Sequence, residues 1–150
     1  MLLYRWLITH GIRPRKSLTL AGVDVPPEHL VSFIRGLLDG DGSIYTKRHR
    51  PTPRTYPNYW YERLWTFFTS ASRAHIDWLR EEIHRELGLD GYVETRQQEG
   101  RHDFYRLKYG NRASMVLLSV LYADRGAPCL LRKRRKFDLY VRRNGAEGGI

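Results

Sequence analysis

Apolar and polar positions switch between a helical and an extended period along the chain, and each switch marks an element boundary. Residues 1–10 suit a short helix, which Gly11, Pro14 and the basic run GIRPRKS terminate. After a turn-like AGVDVPPEH, Pro26 and Pro27 with Glu28 in the first turn start a helix, HLVSFIRGLLDG, that stops at Gly40-Asp41-Gly42. SIYTKRH then alternates as a strand, RPTPRTYPN forms a loop, and YWYERLWTFFTS is the second strand of a hairpin. The parity of that strand is open, because Leu64 and Phe68 compete with Trp65 and Phe67 for the buried face. Ser72 caps the next helix, whose Ile76, Leu79, Ile83 and Leu87 keep helical spacing until Gly88. GYVETRQQ and DFYRLKYG, joined by EGRH, make a second hairpin. A helix from Asn111 to about Tyr122 follows, then a basic helix beginning near Pro128 that carries LLRKRRKFDLYVRR. The tail, residues 144–150, is predicted to fray.

Two hairpins interleaved with helices predict an α+β domain: a four-stranded antiparallel sheet with its helices on one face. The other face is then free for a different task. Taken at every second position, it carries Tyr45, Lys47, His49, Arg96, Gln98, Arg106 and Lys108, with Arg63 contributed by the second strand. Such a face suits the reading of a nucleic-acid groove, and it equally suits plain solvation.

Composition sharpens the choice of partner. The 150 residues hold 26 Lys and Arg against 16 Asp and Glu, a formal net charge of +10, and only five of the cations are Lys. Arginine pairs with phosphate and guanine in a fork that lysine cannot form, so the balance points to a polyanion, although a GC-rich genome also enriches arginine. No apolar run approaches the ~20 residues of a membrane span, and the first residues lack a signal-peptide pattern, so a cytoplasmic protein is expected. The single cysteine, Cys129, excludes an internal disulfide framework and a multi-cysteine zinc site.

The segment FIRGLLDGDGSIY concentrates the chemistry. Gly36 and Gly40 share one helix face, where glycine is costly unless another backbone comes close. Asp39 and Asp41 stand at the helix C-terminus, where the macrodipole disfavours anions, so a cation or a specific hydrogen bond is expected there. A calcium loop fails on spacing: with Gly42 as the turn glycine, its last ligand would be Arg48. A simple Asp-rich helix stop remains open.

Residues 34–42, IRGLLDGDG, resemble the LAGLIDADG motif of homing endonucleases. The resemblance extends over roughly residues 11–143: TSASRAHIDWL is similar to the start of that family's second helix, GYVET and FYRLKYG to its second hairpin, and APCLLRKRRK to its closing basic stretch. It implies an αββαββα fold whose antiparallel sheet binds DNA, and site-specific cleavage of double-stranded DNA with Mg²⁺ or Mn²⁺. By this resemblance Asp41 is a catalytic metal ligand and the Gly40 carbonyl a further one. Asp39 is structural, and Gly36, Gly40 and Asp39 line a helix–helix dimer interface. Lys133 stabilises charge at the scissile phosphate, and His75 or a neighbour in Ser70–Arg73 organises solvent. One motif implies a homodimer on a near-palindromic site, working in the cytoplasm or wherever the host DNA lies. GIRPRKSLTL is similar to the end of a preceding repeat, so residues 1–25 form an arm, 26–143 the domain and 144–150 the tail. Lys16 is then a relic of that repeat or part of a phosphate-binding arm, and the remnant leaves open a different chain as partner. The alternative function is a non-cleaving nucleic-acid binder, an intron maturase or a transcription regulator.

Overall fold

A computed structural model of the chain describes residues 2–12, 18–51 and 54–145. Helix α1 (Leu2–Thr9) precedes a 3₁₀ turn at Pro27–His29 that leads directly into α2 (Leu30–Asp41). Strands β1 (Ser43–His49) and β2 (Tyr61–Ser70), helix α3 (Arg73–Leu87) and strands β3 (Tyr92–Arg96) and β4 (Phe104–Tyr109) follow, then helices α4 (Asn111–Leu121) and α5 (Leu131–Gly145). The expected order and class are observed. Ser72 caps α3 by accepting the His75 amide, and Gly88 ends it in the left-handed region at φ 65°.

The four strands form one antiparallel sheet in the order β1-β2-β4-β3. Its register settles the parity of β2. Tyr45 pairs with Trp65, Lys47 with Arg63, and Phe67 with Lys108, so the odd-numbered residues of β2 share the face of the lysines. The even-numbered residues turn to the helices: Leu64 and Phe68 join Ile44, Leu107 and Tyr109 in a core with Leu38, Ile76, Leu79, Ile83, Leu117 and Leu118. A hydrophobic strand with two apolar faces hides this choice, because β2 is central and its second face carries aromatics too.

Polar ties lock α5 across the sheet. The Glu62 carboxylate, buried on the helix side of β2, accepts from Arg143 Nη1 at 2.9 Å and Asn144 Nδ2 at 3.1 Å. Asn111 Oδ1 accepts both the Leu64 amide (2.7 Å) and the Tyr140 hydroxyl (3.0 Å). The frayed tail is therefore corrected at its start: Asn144 and Gly145 belong to α5, and residues 146–150 lie outside the described ones. That helix also begins at Leu131, later than Pro128, and the Leu130 amide just before it donates to Asp39.

Leu107 sits at the crossing of the sheet, opposite Phe68 and Val93, with no exposure. Leu107→Ala is expected to lower stability by about 2–5 kcal/mol through lost burial and a cavity. Urea unfolding checks it, and a loss below about 1 kcal/mol would contradict the core assigned here.

Candidate nucleic-acid interface and acidic helix terminus

Helix α2 ends against α5, and a lysine closes it. The buried Lys133 donates from Nζ to the carbonyls of Leu38 (2.6 Å), Asp39 (2.9 Å) and Gly42 (2.6 Å). Three ammonium donors meet three carbonyls at and just past the helix end, where partial negative charge gathers, and the Leu38 carbonyl also accepts the Gly42 amide at 3.1 Å. Burial, and then the charge of Arg132, push the Lys133 pKa below its ordinary value, against the pull of Asp39 and Asp41. Gly42 makes the closure possible: a Cβ there would meet the Leu38 Cα and carbonyl oxygen at 2.8 Å.

The two aspartates of this turn part company. Asp39 Oδ2 accepts the Leu130 amide at 2.8 Å and Oδ1 the Tyr122 hydroxyl at 3.4 Å, so it joins α2 to the α4–α5 connection. Arg35 reinforces the same junction from one turn earlier, donating to Pro128 O and Leu121 O, each at 3.0 Å. Asp41 is exposed, and its carboxylate makes no hydrogen bond or ion pair with a described residue. Its carboxylate and the Gly40 carbonyl are hard oxygen donors of the kind that hold Mg²⁺ or Mn²⁺, yet one carboxylate is too few. Among the described residues no group of three or more His, Cys, Asp or Glu could hold a metal. The donors fit such an ion only as part of a larger set.

A cleft of about 480 Å³ brings Asp41 together with His75, Leu37, Ser70 and Leu20. His75 is buried, stacks on Trp78 at 5.4 Å and places Nδ1 3.0 Å from the Ala21 carbonyl. The structure thus puts His75 and Asp41 in one cleft, while the imidazole also ties α3 to the segment before α2. Lys133 lies against the end of α2. All of its donors point into the turn, so it holds the backbone that carries Asp41. Asp39 likewise turns inward, to the α4–α5 connection. Gly36 and Gly40 are exposed, with nothing within 4 Å of a Cβ placed on either. Lys16 lies outside the described residues.

The sheet face opposite the helices carries Tyr45, Lys47 and His49 on β1, Arg63 on β2, Arg96 on β3, and Arg106 and Lys108 on β4. Gln98 is corrected: β3 ends at Arg96, and Gln98 lies in the following turn, where its carbonyl accepts the Arg101 amide. Aromatic residues interleave the cations. Lys108 Nζ stands over Trp65, Phe67 and Tyr92 at 5.9, 5.8 and 5.3 Å, and the Arg106 guanidinium covers Phe67 at 4.6 Å. Sequence reading misses these aromatics for want of the β2 parity, although Arg63, Trp65 and Phe67 share it. It also misses Glu94, the one acid on this face, whose carboxylate receives Arg106 (3.0 Å) and Arg96 (2.9 Å), with Lys108 at 3.6 Å. Burial works against that charge, but the hydrogen bonds from Arg106 and Arg96, with the charges of Arg106 and Lys108, outweigh it and hold the pKa below its ordinary value.

Comparison with solved structures agrees with this geometry. The homing endonuclease I-TnaI superposes with a TM-score of 0.54 at 18% identity, over 80% of this chain and 71% of its own. The archaeal intron-encoded homing endonuclease I-Vdi141I, complexed with DNA, gives 0.57 at 18% identity, over 83% and 72%. I-CeuI, a group I intron-encoded homing endonuclease complexed with DNA, gives 0.53 at 16%, over 85% and 61%. The fold is that of the homing endonucleases. No family model and no curated protein matches the chain.

Two expectations follow from the charges. Asp39→Ala strands the Leu130 amide and is expected to cost about 1–3 kcal/mol, whereas Asp41→Ala stays within about 0.5 kcal/mol of the parent. Thermal unfolding of both variants compares them, and equal losses would contradict the division of labour. The Glu94 carboxyl, with a folded pKa lowered from 4.5, contributes stability that is present above pH 4.5 and lost as the pH falls through the folded value. A carboxyl titration by NMR with a midpoint at or above 4.5 would contradict the network.

Proposed function

We propose that this chain, whose fold is that of the homing endonucleases, is one subunit of a site-specific endonuclease that hydrolyses double-stranded DNA. The observation that carries the reading is Asp41: of the two acids at the end of α2 it is the exposed one, and its carboxylate makes no ion pair with a described residue. A second copy packed α2 against α2 over the open surface of Gly36 and Gly40 would bring two such carboxylates together, and a two-fold axis would suit a near-palindromic site. Asp41 and the Gly40 carbonyl of each copy would hold Mg²⁺ or Mn²⁺, with phosphate oxygens and water completing the set. The chemistry such an ion supplies is a more acidic bound water and charge neutralisation at the phosphate.

The chain's own residues perform the rest. Lys133 fixes the turn so that Asp41 projects outward, and Asp39 anchors that turn to the α4–α5 connection. Lys47, Arg63, Arg96, Arg106 and Lys108 draw the sheet to phosphates and base edges, and His49, stacked on Tyr61 at 5.2 Å, borders them with Tyr45. His75 is proposed to order water in the cleft below Asp41. Its working place is the DNA-containing compartment of the host, and among the described residues no helix is long and apolar enough to cross a membrane.

One observation favours a non-cleaving binder instead: the ammonium expected at the scissile phosphate is engaged with three backbone carbonyls. The same experiment decides between the two. A site is selected from a randomised duplex library, and single-turnover cleavage with Mg²⁺ is measured beside affinity for the parent chain and Asp41→Asn. The parent is expected to cleave, and Asp41→Asn to bind as well or tighter while cleaving orders of magnitude more slowly. Uncleaved DNA with the parent, or parental cleavage by Asp41→Asn, would overturn the nuclease reading. Light scattering is expected to give a dimer for the parent and a monomer for Gly36→Leu, whose side chain would separate the helices.

A further inference from the structure

A carboxylate in the middle of a DNA-reading face is costly, because it repels the phosphates that supply most of the affinity. Glu94 occupies such a place. In the β3–β4 register it lies directly opposite Arg106, and it draws in Arg96 and Lys108 from either side. Its contact with Arg106 has a defined orientation: Nε and Nη2 both donate to Glu94 Oε2, at 3.2 and 3.0 Å. The guanidinium also lies over the Phe67 ring at 4.6 Å, and that ring is buried although it is on the outer face. The side-on edge of Arg106 is therefore occupied, its plane is set by an aromatic ring, and Nη1 has no hydrogen bond with a described residue.

Resting on the DNA-binding reading above, we propose that Glu94 is a specificity-determining positioning residue, which holds Arg106 so that its free Nη1–Nη2 edge is presented to a guanine. Guanine offers O6 and N7 as a pair of acceptors in the major groove, and a guanidinium edge matches both. An unrestrained arginine would swing to the nearest phosphate and gain affinity for any sequence. Glu94 removes that option twice: it fixes the side chain before DNA arrives, and it offsets part of the local positive charge. Non-specific binding weakens while the guanine contact is retained.

The test uses the full chain and the duplex selected with it. Affinity is measured for that duplex, for versions with each G·C pair replaced in turn, and for an unrelated duplex, at several salt concentrations. Glu94→Gln is expected to bind the unrelated duplex several-fold more tightly and to lose about tenfold discrimination at one G·C pair per half-site. Arg106→Ala is expected to flatten the same pair, and Glu94→Gln added to it to change that pair no further. Glu94→Asp keeps the charge but shortens the reach, so it should lose discrimination at that pair while leaving the salt slope unchanged. If Glu94→Gln alters affinity for every duplex by one factor, or if Glu94→Asp discriminates like the parent, the positioning role is overturned and DNA binding stands. If the parent selects no duplex at all, both readings fall together.

Discussion

One buried ammonium organises the end of α2. A helix C-terminus gathers unpaired carbonyls and partial negative charge, and this one also carries two aspartates within its last turn. Left alone, that concentration would favour fraying. Lys133, reaching from α5, satisfies three of the carbonyls and places a positive charge on the helix axis. Its cost is desolvation, visible in its lowered pKa. The return is a turn with a single geometry, from which Asp39 points inward to the Leu130 amide and Asp41 outward to solvent. Lys136, one turn further along α5, extends the clamp by donating to Ile44 O at 2.8 Å, so the first strand leaves the helix at a fixed angle.

The sheet depends on that angle. β1 begins directly after Gly42, and its register against β2 decides which residues face the helices and which face away. With Ile44 buried at the start, Tyr45, Lys47 and His49 must project to the opposite side, and β2 and β4 carry the alternation across the sheet. The resulting surface is more than a cationic patch. Aromatic rings lie beneath the lysine and arginine side chains and limit their freedom, and Glu94 orders the group nearest β3. Charge supplies attraction to a polyanion, while the rings and the carboxylate supply shape.

Much of this was legible in the residues alone. The element order, the Ser72 cap, the Gly88 stop and most of the outer face follow from period and capping chemistry. The aspartates set against the dipole suggest a bound cation or a specific hydrogen bond; the Asp39 carboxylate accepts from Leu130 and Tyr122, and Lys133, some ninety residues away, donates to the backbone of the turn, pairings that no local pattern encodes. The parity of β2 stayed hidden because the strand is central and aromatic on both faces. Glu94 was missed because an acid among basic alternating positions looks like ordinary solubility until the register sets it opposite Arg106. Gln98 was placed on the face by extending the alternation of β3 past its last paired residue, Arg96. The homing-endonuclease fold that the motif implied is the one observed.

The claim that Lys133 fixes the acidic helix end is tested most directly by amide hydrogen exchange in the parent chain and in Lys133→Met, which keeps the length of the side chain and removes its charge. Selective loss of protection is expected at the last turn of α2 and at Gly42, with α3 unchanged. Equal protection in both proteins, or a uniform loss across the fold, would contradict it.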